Sequence, residues 1–252
     1  MTLQFGSIAL GSIPRIAAII ERPLPEPELS RLRESGISIL EFRADQFPGG
    51  IPALKSYLES TDFGGFARLA TVRVDYPADT PLHPARVPAF ESRTDAFETL
   101  LPLVDAVDVE VESPERAALV RQAREAQRLV VLSSHDFTKT PRPERFEEIV
   151  REAEALQVNI LKLAVFARDP RDLQRVLAFT KDCRFPHLVT IAMGEYGLIS
   201  RVAAPFFGSL ISYGFIDQAN APGQLSAADL HAEFLRYHPA YRADFESRRP
   251  AT

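Results

Sequence analysis

Cysteine is nearly absent from this chain of 252 residues, whose single thiol belongs to Cys183. A lone cysteine rules out a disulfide within the chain and fits a reducing compartment, so we expect a cytoplasmic protein. No apolar run approaches the roughly 18 residues that a membrane-spanning helix needs. The first residues also lack a basic segment ahead of an apolar one, so we expect no signal peptide.

A basic charge balance is missing too, because the formal net charge is −5 at pH 7. This charge argues against a nucleic acid or an anionic membrane as the partner. It still permits an anionic small-molecule substrate, since a local arginine cluster can outweigh a weak overall charge. Low-complexity linkers and short-period repeats are lacking as well, and the length suits one large domain. We therefore expect a single domain over residues 1–252.

Short apolar, β-branched runs alternate with longer amphipathic stretches along the whole chain. Eight strands, each followed by a helix, within about 250 residues are typical of a (β/α)8 barrel. A doubly wound open sheet is the alternative, but the first turn, Glu21–Pro25, lacks the usual glycines. We predict a (β/α)8 TIM barrel in the α/β class, with Leu3–Leu10 as an extra strand or hairpin covering its floor. The predicted strands are Arg15–Ile20, Ile37–Arg43, Ala67–Val74, Ala106–Glu112, Leu129–Ser133, Ile160–Val165, Leu188–Met193 and Leu210–Phe215.

One charged residue, Lys162, stands inside an apolar strand, in the run Asn159–Val165. Burial of an ammonium is costly unless the group is paired or its pKa falls. Desolvated lysines of this kind form Schiff bases with carbonyl substrates. The alternative is an edge strand from which the side chain of Lys162 extends into solvent.

Polar side chains gather at the carboxyl ends of the predicted strands, where such barrels carry their chemistry. The period of two sends Glu41 and Arg43 to one face of the second strand, and Arg73 lies near the end of the third. His135 follows the fifth strand, and Arg201 comes after the seventh. A lysine amine beside a histidine general acid–base, with carboxylates and arginines around them, is a coherent set for Schiff-base catalysis.

Each of these positions also has a purely structural interpretation. Glu41 and Arg43 can form an ion pair inside the barrel, and the acidic face of Asp108–Glu112 can be a buried polar network. Taken alone, His135 can be a loop histidine and Arg201 a solvated surface charge. Their coincidence at one predicted face of the barrel favours a catalytic site.

Four segments carry a family pattern. They read EFRAD at 41–45, SSHDFTKTP at 133–141, ILKLAV at 160–165, and a long block from MGEYG at 193 to SAADL at 230. With them the chain resembles the type I 3-dehydroquinate dehydratases, over residues from about 8 to about 232. The resemblance implies a (β/α)8 barrel, a homodimer, no metal or organic cofactor, and a cyclic hydroxy-keto carboxylate as the substrate.

The resemblance also implies a reaction and a role for each matching residue. Members of the family eliminate water from 3-dehydroquinate to give 3-dehydroshikimate, in the shikimate pathway or in quinate breakdown. Lys162 would form an imine with the C3 ketone, and His135 would move a proton from C2 to the departing C1 hydroxyl. Arg201 would bind the substrate carboxylate. Other substrate contacts would come from Glu41, Arg43, Arg73, Met193, Tyr213, Asn220 and Gln224.

Two positions depart from the family pattern. Pro77 stands where the family usually has a glutamate that pairs with the catalytic histidine, and Asp75, Asp79 and Glu91 are the candidate replacements. Asn220 stands where the family has a serine in the closing loop, and its amide can still hydrogen-bond a carboxylate or a hydroxyl.

Two alternatives to the dehydratase stay open. One is a related Schiff-base lyase that acts on a different hydroxy-keto acid. The other is a catalytically silent ligand-binding homologue, since a fold does not determine a function. Retention of both Lys162 and His135 argues against the silent homologue.

Overall fold

The computed structural model describes residues 2–11, 13–73, 92–219 and 221–248. Its strands are β1 (Leu3–Phe5), β2 (Ile8–Leu10), β3 (Arg15–Ile20), β4 (Ile37–Arg43), β5 (Ala67–Thr71), β6 (Ala106–Glu110), β7 (Leu129–Asp136), β8 (Ile160–Phe166), β9 (Leu188–Met193) and β10 (Ile211–Gly214). Its α-helices are α1 (Glu26–Glu34), α2 (Gly50–Ser60), α3 (Arg93–Leu100), α4 (Arg116–Glu125), α5 (Pro143–Leu156), α6 (Pro170–Asp182), α7 (Ser200–Ala203), α8 (Ala227–Tyr237) and α9 (Pro239–Ser247). Short 3-10 helices span Leu101–Leu103 and Ala204–Phe207.

Within the described residues, the eight strands from β3 to β10 form one parallel sheet that curves into a nearly closed barrel. From β3 to β9 each strand pairs with the next along the chain, and β10 pairs back onto β3 with Ile211 opposite Arg15. At the seam between β9 and β10, the amide of Leu210 donates a 2.9 Å hydrogen bond to the carbonyl of Leu188. The ring order confirms the predicted (β/α)8 barrel and excludes the open sheet.

Side chains of the barrel strands alternate between two apolar layers, because successive residues of a strand point in opposite directions. Leu132 and Leu161 belong to the outer layer, which packs beneath the helices. Val131 and Ile160, their neighbours in sequence, belong to the layer inside the barrel. Further along the same two strands, the inward positions become polar. The barrel interior is therefore apolar towards the amino ends of the strands and polar towards their carboxyl ends.

The hairpin of β1 and β2 covers the amino end of the barrel, as predicted. Phe5 and Leu10 are fully buried in one cluster with inward-facing residues such as Ile39. Gly6 turns the hairpin at φ 55°, and a Cβ there would lie 2.9 Å from the carboxyl carbon of Asp105. Apolar side chains thus close the amino end of the barrel, and a ligand can enter only from the carboxyl end of the strands.

Several boundaries differ from the prediction. β7 continues past Ser133 to Asp136, so His135 belongs to the strand and lies opposite Ala164 of β8. The pairing continues beyond the apolar run because backbone N–H and C=O groups of adjacent strands need hydrogen-bond partners. The third barrel strand ends at Thr71, and its predicted end at Val74 lies outside the described residues.

Helix boundaries follow local signals at some positions and tertiary packing at others. α6 begins after Asp169, whose side chain accepts hydrogen bonds from the amides of Arg171 and Asp172. α9 was not predicted, and it packs through the buried Tyr241. None of the described helices is long and apolar enough to cross a bilayer. The expectation of a single domain stays a prediction.

Candidate active site

A cavity at the carboxyl ends of the barrel strands brings the predicted site residues together. Apolar atoms of Ile19, Ile191 and Ala221 contribute to its wall. In the described part of the chain, no group of three His, Cys, Asp or Glu side chains is suited to hold a metal ion. Asn220 lies outside the described residues. The other predicted site residues all line the cavity, namely Glu41, Arg43, Arg73, His135, Lys162, Met193, Arg201, Tyr213 and Gln224.

Lys162 lies on β8 between β7 and β9, so the edge-strand alternative is wrong. Its side chain is 5% exposed. The Nζ atom lies 3.5 Å from Oδ2 of Asp108, 3.7 Å from Oε1 of Glu41 and 3.9 Å from the centroid of the Tyr213 ring. Carboxylates and the face of an aromatic ring both favour a cation. The pocket therefore stabilises positive charge at this nitrogen atom.

Asp108 was not predicted as a site residue, although it contacts the lysine. Its Oδ1 accepts a 2.6 Å hydrogen bond from the Ser133 hydroxyl. Burial acts to raise the pKa of Asp108, but the charges of Arg73 and Lys162 outweigh burial and hold this pKa below its ordinary value. The signal for this role is the period of two along β6, which turns Asp108 and Glu110 inward.

Arg43 and Glu41 share the inward face of β4 but have different partners. Arg43 binds Asp45 through two hydrogen bonds, from Nε to Oδ1 at 3.0 Å and from Nη2 to Oδ2 at 2.6 Å. Glu41 accepts a 2.6 Å hydrogen bond from the Thr71 hydroxyl and lies beside Lys162. The sequence allowed an ion pair between Glu41 and Arg43, but in the structure each of these side chains pairs with a different neighbour.

The imidazole of His135 faces a guanidinium. Nη1 of Arg73 lies 3.0 Å from Nδ1 of His135, and Nη2 lies 3.2 Å from Nε2. A guanidinium only donates hydrogen bonds, so it favours the neutral imidazole, which has an acceptor nitrogen. Burial, followed by the charges of Arg73 and Lys162, lowers the pKa of His135 well below its ordinary value. At neutral pH the side chain is an unprotonated base.

Among the described residues, no carboxylate hydrogen-bonds to His135. Pro77 and the three candidate replacement carboxylates all fall in residues 74–91, outside the described residues, so a carboxylate partner stays a prediction. Arg73 connects His135 to a carboxylate indirectly, because Nη1 of Arg73 also donates a 3.2 Å hydrogen bond to Oε1 of Glu110.

Glu110 lies between two arginines at the end of β6. Its Oε2 accepts a 3.2 Å hydrogen bond from Nη2 of Arg93, in addition to the contact with Arg73. Burial raises the pKa of Glu110, and the charges of the two arginines only partly oppose that rise. The three side chains form a buried charged row that holds the guanidinium of Arg73 against the histidine.

Arg201 is a buried cation and not the solvated surface charge that its position near a helix start suggested. Its Nε donates to the carbonyl of Gly223 at 2.8 Å, and its Nη1 donates to the carbonyl of Tyr213 at 3.2 Å. No carboxylate of the described residues pairs with it. Burial lowers the pKa of Arg201 to about 10, so the guanidinium stays charged at neutral pH. An uncompensated buried cation of this kind suits an anionic ligand.

Two loops touch at the mouth of the cavity through glycines. The amide of Gly194 donates a 3.0 Å hydrogen bond to the carbonyl of Pro222. A Cβ at Gly223, whose φ is 68°, would lie 2.4 Å from the carbonyl oxygen of Gly194. Only glycine permits this approach, which holds the carbonyl of Gly223 against Arg201 and places Gln224 in the cavity wall.

A family model with the description type I 3-dehydroquinase matches residues 25–237 of this chain. The chain belongs to the type I 3-dehydroquinase family. A 3-dehydroquinate dehydratase from Hydrogenobaculum sp. is 33% identical over 201 residues, which cover 79% of this chain and 88% of that protein.

Solved structures with the same fold agree with the family assignment. The 3-dehydroquinate dehydratase from Aquifex aeolicus VF5 superposes with a TM-score of 0.75 at 29% identity, covering 89% of this chain and 99% of that one. The 3-dehydroquinate dehydratase from Geobacillus kaustophilus HTA426 superposes with a TM-score of 0.78 at 27% identity, covering 95% of this chain and 98% of that one. The barrel and its floor hairpin are therefore the framework of a type I 3-dehydroquinase.

Proposed function

We propose that this type I 3-dehydroquinase eliminates water from 3-dehydroquinate to give 3-dehydroshikimate, through an imine on Lys162. Family membership supports the overall reaction, that of a hydro-lyase. One observation supports the residue roles. The amine of Lys162, the neutral imidazole of His135 and the guanidinium of Arg201, which has no ion-pair partner among the described residues, all line one cavity.

Imine formation uses the cation-stabilising surroundings of Lys162. The ammonium and the C3 ketone of the substrate become a protonated imine and one molecule of water, so the positive charge is conserved. Asp108, Glu41 and the Tyr213 ring, which face the ammonium, then face the iminium at the same nitrogen. The iminium withdraws electrons from C2 and stabilises the negative charge that develops there.

His135 performs the proton transfers of the elimination. The neutral imidazole takes a proton from C2, and the electron pair left behind forms the C1–C2 double bond as the C1 hydroxyl departs. Because the pKa of His135 is lowered by burial and by the nearby cations, the imidazolium is a strong acid and protonates that hydroxyl to water. Hydrolysis of the imine then releases the product and regenerates Lys162.

Arg201 binds the substrate carboxylate. Two of its nitrogens hydrogen-bond to the carbonyls of Gly223 and Tyr213, which fixes the plane of the guanidinium. Nη2 has no acceptor among the described residues and is available to a carboxylate. A planar guanidinium so fixed provides directed charge-assisted hydrogen bonds that a lysine ammonium does not reproduce.

The remaining predicted site residues would contact the ring of the substrate. Glu41, Arg43 and Arg73 would hold its hydroxyl groups, and Gln224 would close over it. Met193 and Tyr213 would line the pocket, with Asn220 in the closing loop. We also propose a homodimer in the cytoplasm that uses no metal or organic cofactor.

A turnover assay with a matched pair of lysine variants tests this function. The parent is expected to convert 3-dehydroquinate into a product with the ultraviolet absorbance of a conjugated enone. Lys162→Ala should lower kcat by on the order of 10³-fold or more, whereas Lys55→Ala, on the exposed face of α2, should match the parent. No product from the parent, or equal rates for both variants, would contradict the proposal. If borohydride traps 3-dehydroquinate on Lys162 but no product forms, the result would favour a different hydroxy-keto acid as the substrate or a catalytically silent homologue.

A further inference from the structure

The hydroxyl of Tyr213 is a buried polar group without a partner. The residue is 3% exposed, and its Oη forms no hydrogen bond within the described part of the chain. Burial of an unsatisfied hydroxyl costs free energy that a phenylalanine at the same position would not cost. The fold alone therefore does not account for this oxygen atom.

Strand geometry directs this side chain into the cavity. On β10, Tyr213 lies opposite Ala17 of β3, and both belong to the cluster inside the barrel. The preceding residue, Ser212, points the other way and donates its hydroxyl to the carbonyl of Arg201. Tyr213 lines the cavity together with Lys162, whose Nζ lies 3.9 Å from the ring centroid.

The cation–π contact explains the ring but not the hydroxyl. A phenylalanine ring would offer a comparable negative face to the ammonium of Lys162. It would do so without a desolvated oxygen atom. The hydroxyl consequently needs a partner that enters the cavity, and the cavity is the place where the substrate binds under the proposed function.

We propose that Tyr213 acts on the bound substrate in two ways, through a ring face that supports the cation at Lys162 and through a hydroxyl that donates a hydrogen bond to an oxygen of a cyclic hydroxy-keto carboxylate. This inference rests on the proposed function and adds a binding contact to it. Burial, followed by the charges of Glu41 and Asp108, raises the pKa of Tyr213 well above its ordinary value. The hydroxyl thus keeps its proton at neutral pH and remains a donor.

Tyr213→Phe separates the hydroxyl from the ring. The variant should have a melting temperature equal to or above that of the parent, because it removes an unsatisfied buried group. Its KM for 3-dehydroquinate should rise about tenfold while kcat stays within about threefold, as expected for loss of one hydrogen bond made equally in the ground and transition states. Stability and substrate affinity thus change in opposite directions, which a purely structural role would not produce.

Tyr213→Leu tests the ring, and Tyr237→Phe is the control. The leucine variant also removes the ring face, so borohydride trapping of substrate on Lys162 should be slower than in Tyr213→Phe at saturating substrate. Tyr237 lies at the exposed end of α8 and should behave as the parent in all assays.

The outcomes distinguish this inference from the proposed function. If the parent turns over 3-dehydroquinate and Tyr213→Phe has the same KM as the parent, the role of the hydroxyl is overturned. The proposed dehydratase reaction is then unaffected. A lower melting temperature in Tyr213→Phe overturns it as well, since the hydroxyl would then have a partner in the free protein. Absence of turnover in the parent overturns the proposed function and this inference with it.

Discussion

Nζ of Lys162 lies 3.5 Å from Oδ2 of Asp108, an oxygen atom that accepts no hydrogen bond in the described part of the chain. The same oxygen lies 3.7 Å from Nη2 of Arg73. Asp108 therefore compensates the charge of the amine and also the charge of the guanidinium that faces His135. One carboxylate connects the two groups that carry the proposed chemistry.

Asp108→Asn is expected to slow the reaction without abolishing it. The substitution removes a negative charge beside the cation at Lys162, while Glu41 remains within 3.7 Å of that cation. Loss of one charge-assisted contact of about 1.5–3 kcal/mol corresponds to a fall in kcat of about 10- to 100-fold. Steady-state kinetics measure this change, and Asp182→Asn, on the exposed end of α6, is the control. An unchanged kcat would remove Asp108 from the mechanism.

The acidic limb of the pH profile of kcat/KM should lie well below the ordinary pKa of a histidine. Burial, then the charges of Arg73 and Lys162, lowers the pKa of His135 well below the ordinary value of 6.5, so the base stays unprotonated at neutral pH. Arg73→Gln removes one of these charges, which should raise the pKa of His135 and move the acidic limb to higher pH. A limb that stays in place in Arg73→Gln would contradict the contact between these side chains.

Stability should respond to the same histidine at mildly acidic pH. Because the folded-state pKa of His135 is depressed, the unfolded chain binds a proton at this position before the folded chain does. The free energy of unfolding should therefore fall as the pH falls below about 6.5, and stop falling on this account below the folded-state pKa. Denaturant titrations from pH 7 to pH 5 measure the slope. His135→Asn should give a shallower slope than the parent, and an equal slope would count against a neutral imidazole with a lowered pKa.

Arg201→Lys should weaken substrate binding more than it slows the chemical step. Lysine keeps the charge but loses the fixed plane set by the carbonyls of Gly223 and Tyr213. We expect KM to rise about 10- to 100-fold, the equivalent of roughly 1.4–2.7 kcal/mol, with a smaller change in kcat. Arg236→Lys, on the exposed face of α8, should leave both parameters unchanged. A parent-like KM in Arg201→Lys would show that the carboxylate binds elsewhere.

Alternation along the strands made much of this site predictable. The period of two and the positions of the strand ends place Lys162, Glu41 and Arg43 on inward faces, and the structure agrees. Every second residue of each strand points into the barrel, so the inward-facing residues can be identified from the sequence of one strand alone. The family motifs add the identity of the reaction, which strand periodicity does not contain.

Pairing between strands was not predictable in the same way. The approach of Arg73 to His135 depends on the register and tilt of neighbouring strands. The burial of Arg201 depends on a loop that folds back from the far side of β10. These contacts join residues far apart in the chain, and one sequence holds no local signal for them.

The covalent state of Lys162 tests the central claim most directly. The protein is mixed with 3-dehydroquinate, reduced with borohydride and mapped by peptide mass spectrometry, with Lys162→Ala treated in parallel. The proposed mechanism predicts a reduced substrate adduct on the peptide that contains Lys162 and none in the variant. A parent protein that turns over the substrate without an adduct on Lys162, or with the adduct on another lysine, would contradict it.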